Sequence, residues 1–270
     1  MFSVLISVYN KEHPDLLKSA LQSIWDNQSL KPSEIVIVKD GKLKSKLEDT
    51  LRHFAERAPV KFVVLKKHKG LGLALAEGIK QCSNEIIARM DADDISLPHR
   101  FSSQIDFLNK NPDISLLSSN ILEFSDNPGN PQSSRKVPDS HSKIIKFAKS
   151  RSPVNHMAVM FKKSAVLDAG NYQKFDIYED YYLWARMLNK GYRAANIKDN
   201  LVYARFNNNT LSRRHGLKCF LQELKLQRSF YSMSFISVTR FIKNIILRAF
   251  PRLLPIWGLK IIYNTIRIQK

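Results

Sequence analysis

The sequence predicts an α/β protein: a mostly parallel sheet covered by helices on both faces, followed by a basic helical extension. Three observations carry this. Over the first 90 residues, short β-branched runs alternate with helical apolar spacing and short links. Polar and acidic residues gather just after the strand-like runs, where sheets of this kind bind ligands. The charge is also uneven: of a formal +19 over 270 residues, residues 205–270 hold 13 Lys+Arg against one acid, Glu223.

Taken in order, Phe2–Val8 reads as a buried strand ending in the turn Tyr9-Asn10-Lys11-Glu12, and Pro14 is placed to open a helix carrying Leu17, Ala20, Leu21 and Ile24. Ile35–Val38 is a second strand, stopping at Asp40-Gly41, and Leu47, Leu51 and Phe54 mark the helix after it. Val60–Leu65 is a strand, Leu71–Cys82 a helix, and Ile86–Met90 a fourth strand. Ser96-Leu-Pro-His-Arg reads as a helix cap with proline in the first turn, leading to a helix with Phe101, Ile105 and Leu108 on one face. Ile114–Ser119 is a further strand, and residues 127–138 form a turn-rich excursion. Asn155–Phe161 runs from a loop into a strand. Tyr178-Glu179-Asp180 leads into a helix burying Leu183, Met187 and Leu188, and strand-like runs at Arg193–Ile197 and Leu201–Phe206 close the domain. After Leu211 the texture changes: Leu217, Phe220, Leu221 and Leu224 share a helical face, and residues 235–270 contain no acid. The expected division is therefore a catalytic domain over 1–210, with halves at about 1–95 and 96–210, and an extension over 211–270.

The two cysteines, Cys82 and Cys219, lie far apart and supply neither a disulfide framework nor a metal-ligand spacing, which fits a reducing compartment. The first residues lack the basic start and apolar core of a signal peptide, and no apolar run reaches the roughly 18 residues needed to span a bilayer. The expected location is the cytosol or a membrane face.

Chemistry concentrates at Asp91-Ala92-Asp93-Asp94, at the end of an apolar strand. Alternation sends Asp91 and Asp93 to one side and Asp94 to the other. Three carboxylates this close repel one another, and oxygen ligands at a strand end suit Mg²⁺ or Mn²⁺, with substrate phosphates completing the shell. On local grounds an acidic, solvated loop is an equal reading. A calcium loop is excluded, because the required Gly and terminal Glu spacing is absent.

The ordered set Ser7-Val8-Tyr9-Asn10, Asp40-Gly41, Gly70-Leu71-Gly72, Asp91-Ala-Asp-Asp94 and Glu179-Asp180-x-x-Leu183-Trp184 resembles family 2 glycosyltransferases of the GT-A fold, over about residues 1–210. The likeness is greatest to bacterial enzymes that extend lipid-linked sugars for O-antigen, capsule or exopolysaccharide, in the amylovoran-like branch. It implies a metal-dependent inverting transfer of a hexose from a UDP-sugar to a polyprenyl-diphosphate-linked sugar. Its sharpest form is galactose in β-1,3 linkage onto GlcNAc-diphospho-undecaprenol; the alternative is another UDP-sugar transferase of capsule or exopolysaccharide assembly.

The resemblance also assigns roles. Asp91 and Asp93 hold the divalent metal, Mn²⁺ or Mg²⁺, and the donor. Asp180 takes the acceptor proton, supported by Glu179. Tyr9, Asn10 and Glu12 contact base and ribose, Asp40 accepts the uracil N–H, and Gly70 and Gly72 let backbone approach the nucleotide. Arg89 pairs with phosphate or with Asp91. On the acceptor side stand Asp94, His156, Trp184, Arg213 and Arg214, with Asp94 open as well to touching the donor sugar or capping Ser96-Leu97. The simpler readings are turn chemistry at Tyr9–Glu12, a turn cap at Asp40, a satisfied structural histidine at His156, a packing side chain at Trp184, a solvated basic turn at Arg213-Arg214, and acids complementing a helix dipole at Glu179-Asp180. Two departures from the family pattern stand out: Lys69 replaces an asparagine common before Gly70, and Arg205-Phe206-Asn207 replaces an Arg-x-His that would supply a third metal ligand.

Residues 235–270 interleave Phe, Ile and Leu with Arg and Lys at helical spacing. That pattern suits an amphipathic element lying on an anionic membrane, here the cytoplasmic face of a bacterial inner membrane, as a peripheral attachment. Nucleic-acid binding is the rival, but the basic residues are interleaved with aliphatics more than with stacking aromatics, so no nucleic-acid partner is expected. A non-catalytic nucleotide-sugar binder is a third reading, opposed by the intact acids.

Overall fold

The computed structural model describes residues 1–206 and 216–253. Two compact units are present: residues 1–174 with 179–205, and residues 175–178 with 206–270. Arg213, Arg214 and the apolar run from Trp257 onward lie outside the described residues.

The first unit begins as the alternation foretells: β1 (Ser3–Val8), α1 (Pro14–Ile24), β2 (Glu34–Asp40), α2 (Ser45–Ala55), β3 (Val60–Leu65), α3 (Leu71–Gln81) and β4 (Ile86–Met90). These four strands pair in parallel in the order β3-β2-β1-β4. The β-branched and apolar runs of β1, β2 and β4 suit strands buried on both faces, while β3 is the more exposed edge. On one face Val4, Ile6, Ile35 and Ile37 pack with Leu17, Leu21, Ile24, Leu47 and Leu51. Each such side chain contributes about 1.5–3 kcal/mol when fully buried.

The chain steps outward from β1 to β2 and β3, then returns to β4 on the other side of β1. That reversal opens a crevice at the carboxyl ends of β1 and β4. Tyr9-Asn10 and Asp91–Asp94 follow those two ends directly, and Asp40 is the last residue of β2.

Beyond β4 the sheet becomes mixed. β8 (Met160–Lys162) runs antiparallel to β4 and to β6 (Ile114–Phe124), while β6 lies parallel to β9 (Arg193–Arg205). The short β5 (Ile95–Ser96) pairs with β9, and β7 (Ser133–Arg135) with β6. One sheet thus runs through both halves expected of the catalytic domain.

Several local expectations are corrected. Ser96 is no helix cap: it pairs with Val202 in β5, and Gln28 donates to its Oγ at 3.3 Å and to the Leu97 carbonyl at 2.8 Å. The following helix, α4 (Arg100–Lys110), starts two residues after Pro98 without a side-chain cap. The two runs near residues 193–206 form one strand, whose register slips against β6 around Asn120 and Asn200. The excursion at 127–138 is tied back by β7 and by the Val137 amide, which donates to Asn120 Oδ1 at 2.9 Å. Two short helices, α5 (His141–Ala148) and α6 (Lys163–Asp168), flank this region, and α7 (Glu179–Asn189) starts where its acidic first turn implies.

The second unit contains α8 (Leu217–Ser232) and α9 (Val238–Asn244), the latter capped by Ser237, whose Oγ accepts the Arg240 amide at 3.3 Å. α9 continues as a wide turn over Ile245–Ala249 and a tight one over Phe250–Leu253. Leu226, Phe230, Phe235 and Ile236 form its core, with the Phe230 and Phe235 rings edge to face at 5.4 Å. The Leu217/Leu221 face points outward, at 63% and 53% exposure, and the buried face of α8 carries Glu223 and Gln227 instead. Among the described residues, no helix is long and apolar enough to cross a membrane.

Candidate active site

The nucleotide-side loops converge through Asp40. Its carboxylate is buried, and it accepts the Lys69 amide at 2.7 Å and the Gly70 amide at 3.0 Å. His68 Nδ1 lies 2.8 Å from the same carboxylate, and the His68 ring stacks on Tyr9 at 5.5 Å. Asp40 therefore ties the loop after β3 to the end of β2, and Tyr9 joins the arrangement from β1. The turn needs glycine after Asp40: Gly41 has φ +87°, and a Cβ there would lie 2.8 Å from the His68 amide nitrogen. Gly70, at φ +88°, opens α3 with free space around its Cα. Tyr9 is half-buried and Asn10 exposed, and the Glu12 amide closes their turn on the Tyr9 carbonyl at 3.1 Å. His68 escaped sequence reasoning because it sits inside the basic run Lys66-Lys67-His68-Lys69, which reads as solvated charge.

At the end of β4 the acids divide. Arg89 is fully buried and grips Asp91 with both terminal nitrogens, one at 2.6 Å. Of the two partners left open for Arg89, the structure supplies Asp91. Asp94 is also buried, and it accepts the Arg205 amide from β9 at 2.7 Å. Through that bond Asp94 fastens β9 to the acidic loop, the local structural part of the two roles open to it. Asp93 forms no ion pair among the described residues. Burial and then the Asp91 charge push its carboxyl above the usual range. Glu12 reaches the same place from β1: burial, followed by Asp93 and Asp91, raises it to about 7. Among the described residues no cluster of three or more His, Cys, Asp or Glu is placed to hold a metal. One or two carboxylates completed by phosphate oxygens is the arrangement Mg²⁺-type ions accept, so Asp93 and its neighbours fit such an ion.

The second acidic pair opens α7. Glu179 is buried, and burial followed by the neighbouring Asp180 raises it to about 7. It packs directly on α3: a Cβ added to Gly72 would lie 2.8 Å from Glu179 Cβ. Gly72 is small because α7 touches it. Arg89 joins the two acidic sites electrostatically, since its charge acts on Asp91, His156, Tyr172 and Glu179. His156 Nε2 and the Tyr172 hydroxyl share a 2.7 Å hydrogen bond. Burial, then the nearby Arg89, drives the imidazole well below its ordinary range, so it is neutral. Trp184 is fully buried against His156, Phe161 and Tyr172, which is the packing role, one of the two readings open to it. Tyr172 and Arg205 were missed as site residues: Tyr172 follows Gly170-Asn171 and reads as turn punctuation, and Arg205 stood out only for lacking a histidine two residues on. Arg205 Nε also donates to the Asp93 carbonyl at 3.4 Å.

The loops at the ends of β1, β2 and β4 can hold a nucleotide and its diphosphate, and the α7 acids can accept a proton beside them. A model of the family described as glycosyl transferase family 2 matches residues 3–167, more than half the chain. The chain is 43% identical to an Escherichia coli UDP-Gal:α-D-GlcNAc-diphosphoundecaprenol β-1,3-galactosyltransferase, over 94% of this chain and 92% of that one. It is 35% identical to the amylovoran biosynthesis glycosyltransferase AmsE of Erwinia amylovora, over 98% of both. Among solved structures, S. aureus TarS 1–349 in complex with UDP-GlcNAc superposes with a TM-score of 0.69 at 15% identity, covering 93% of this chain and 72% of that one. The mannosyltransferase PcManGT of Pyrobaculum calidifontis, in complex with GDP-Man and Mn²⁺, gives 0.64 at 16% identity, covering 96% and 72%. These likenesses establish the GT-A fold, and with the family match and the curated relatives they place the chain in glycosyl transferase family 2.

Proposed function

We propose that the protein transfers galactose from UDP-galactose, in β-1,3 linkage and with inversion, onto GlcNAc-diphospho-undecaprenol. The observation that carries this is the meeting of the donor-side acids and the Glu179-Asp180 pair around Arg89, in a chain 43% identical to the E. coli galactosyltransferase. The acceptor hydroxyl oxygen attacks the anomeric carbon, the bond from that carbon to the UDP oxygen breaks, and the hydroxyl proton passes to Asp180. A base of this kind contributes roughly 10²–10⁴-fold. A Mn²⁺ or Mg²⁺ ion held by Asp93, with Asp91 beside it, would offset charge on the departing diphosphate. Asp40 with Tyr9 would face the base, and Tyr9, Asn10 and Glu12 the base and ribose. His156, from its neutral hydrogen-bonded position, would border the acceptor site, and Arg213 and Arg214 would approach a diphosphate.

With a lipid-linked acceptor, the reaction would take place at the cytoplasmic face of a bacterial inner membrane, with the protein attached peripherally. Exposed Val238, Ile242, Ile246, Leu247 and Phe250 beside Arg240 and Lys243 support that attachment. On this reading transfer falls to residues up to about 210 and attachment to the extension over 211–270.

The test incubates purified protein with UDP-Gal, UDP-Glc, UDP-GlcNAc and UDP-GalNAc, Mn²⁺ or Mg²⁺, and synthetic GlcNAc-diphospho-lipid, followed by linkage determination. A β-1,3-galactosyl product is expected. Preference for another donor would give the alternative, a different UDP-sugar transferase of capsule or exopolysaccharide assembly, which the likeness to AmsE supports.

A further inference from the structure

The loops that leave β2 and β3 carry a charged surface that the transfer chemistry does not use. Asp40 and Leu65 are partners in the parallel pairing of these strands, so both loops start side by side at one end of the sheet. They touch: a Cβ on Gly41 would lie 2.8 Å from the His68 amide nitrogen and 3.3 Å from the Lys67 carbonyl carbon. Lys42, Lys44 and Lys46 follow on one side and Lys66 and Lys67 on the other, all of them exposed.

Among the described residues no acid pairs with these lysines. The acids nearest in sequence are already committed: Asp40 to His68 and two backbone amides, Glu48 to Lys39, and Asp49 to Arg52. Local stability does not call for the lysines either. Lys44 stands at the N-cap of α2 without a side-chain hydrogen bond, and Lys46 lies in its first turn, where the helix dipole favours acids and disfavours cations. Like charges on touching loops repel, and an anionic partner relieves them.

The neighbouring side chains indicate which anion. β3 is the edge of the sheet and leaves Val64 68% and Phe62 37% exposed, on the same side of the strand. Lysines around an exposed aliphatic side chain suit the boundary of lipid headgroups and acyl chains. A single-stranded nucleic acid would call for open aromatic faces, and the Phe62 ring is covered by Lys39, whose Nζ lies 4.4 Å from its centre.

We propose that this end of the sheet-bearing unit binds an anionic phospholipid surface through Lys42, Lys44, Lys46, Lys66 and Lys67, with Val64 among the headgroups. It extends the reading of peripheral attachment but stands on residues separate from the exposed face of α9. The unit that carries the nucleotide loops then holds lipid by its own charge, whatever the extension contributes.

The test sediments full-length protein with sucrose-loaded vesicles of phosphatidylethanolamine and phosphatidylglycerol, with phosphatidylcholine vesicles as the neutral control. The variants are Lys44→Gln with Lys46→Gln, and Lys66→Gln with Lys67→Gln, each made in the wild type and in the Ile246→Glu, Leu247→Glu background. UDP affinity by calorimetry, thermal melting and retention of a single-stranded RNA are measured alongside. A lysine near an anionic surface is worth about fivefold in partition, so each pair should lower binding to the anionic vesicles by about 5–25-fold in both backgrounds. UDP affinity should stay within about twofold and the melt should not move; either pair decides the matter if the other fails to fold. Wild-type partition in both pairs overturns the proposal, as does equal binding to neutral vesicles. Parallel loss of UDP affinity also overturns it, by giving the lysines to the donor, and so does loss of RNA retention with vesicle binding intact. Abolition of all vesicle binding by Ile246→Glu with Leu247→Glu alone overturns it in favour of the extension. If that double change has no effect while the lysine pairs weaken binding, the attachment through α9 fails and this surface stands.

Discussion

Gly72→Ala probes the packing of α3 on α7 with a single methyl group. The new Cβ would lie 2.8 Å from Glu179 Cβ, 3.1 Å from its Cγ and 3.4 Å from the Gln173 carbonyl oxygen. Ordinary contact begins near 3.4 Å, so the α7 backbone must retreat by roughly 0.6 Å, since Glu179 Cβ cannot rotate away from its own Cα. Overpacking of this kind costs about 1–3 kcal/mol. Alanine returns up to about 1 kcal/mol through helix propensity. The net loss is about 0–2 kcal/mol, or up to roughly 8 °C in Tm for a domain of this size. Activity suffers more than stability. A misplacement near 1 Å costs on the order of 10²-fold, so a shift about half as large should lower kcat by about tenfold. Steady-state kinetics with UDP-galactose and GlcNAc-diphospho-lipid, alongside calorimetric titration with UDP, separate the two sites. UDP affinity should stay within about twofold while kcat falls. A variant with wild-type kcat would refute the claim that this contact sets the position of Glu179. A variant that loses UDP affinity and keeps kcat would return Gly72 to the nucleotide side.

Asp93→Ala should lower metal-dependent transfer on the order of 10²–10³-fold, while the metal-free Tm holds or rises because a buried, repelled carboxyl is gone; a Mn²⁺ titration of turnover with a parallel melt checks both. Glu179→Gln should move the acid limb of the kcat–pH profile downward. In the wild type the buried Glu179, raised by burial and then by Asp180, keeps its proton up to about pH 7, and glutamine removes that titration; an unmoved limb would detach Glu179 from catalysis. Arg89→Met should leave Asp91 unpaired beside Asp93 and Asp94, at a cost of about 3–5 kcal/mol, visible as a melt lower by roughly 6–20 °C. Ile246→Glu with Leu247→Glu, at side chains 56% and 60% exposed, should weaken sedimentation with anionic vesicles without changing the melt; undiminished sedimentation would remove this face from membrane attachment.

The first 90 residues were legible because two periods agree there. β-branched runs of four to six residues fit a sheet buried on both faces, and the intervening helices carry their apolar residues at helical spacing. Past β4 the signal weakens. Ser96 has the chemistry of a cap, but a two-residue strand pairing with Val202 claims it, and that partner is more than a hundred residues away. α8 misleads for a related reason: Leu217 and Leu221 mark one face, yet the buried face is built around Glu223, whose charge two distant arginines neutralise. At the site, the acids were visible as motifs and Arg89 as a partner of Asp91, but the partners distant in sequence were not. His68, Tyr172 and Arg205 come into place through the ends of β3, the segment before α7, and β9, and no local spacing announces them.

Those partners decide what the acidic loop can do. Four carboxylates gather at the ends of β1 and β4: Glu12, Asp91, Asp93 and Asp94. Arg89 neutralises Asp91, and the Arg205 amide satisfies Asp94 inside the protein. Glu12 and Asp93 form no ion pair among the described residues, and burial with the neighbouring carboxylates raises both, so the cost of crowding falls on these two. A diphosphate brought here alone would add negative charge to negative charge. A divalent cation reverses the sign of that encounter, and with so few carboxylates available its remaining positions would go to phosphate oxygens and water. The Arg89–Asp91 pair limits the protein's own ligands and so leaves room for the donor to supply the rest. The same buried arginine acts on Glu179, so in the proposed mechanism it would couple the charge at the diphosphate to the group that supports proton removal. The loop is therefore organised less by the number of its acids than by which of them the fold has already neutralised.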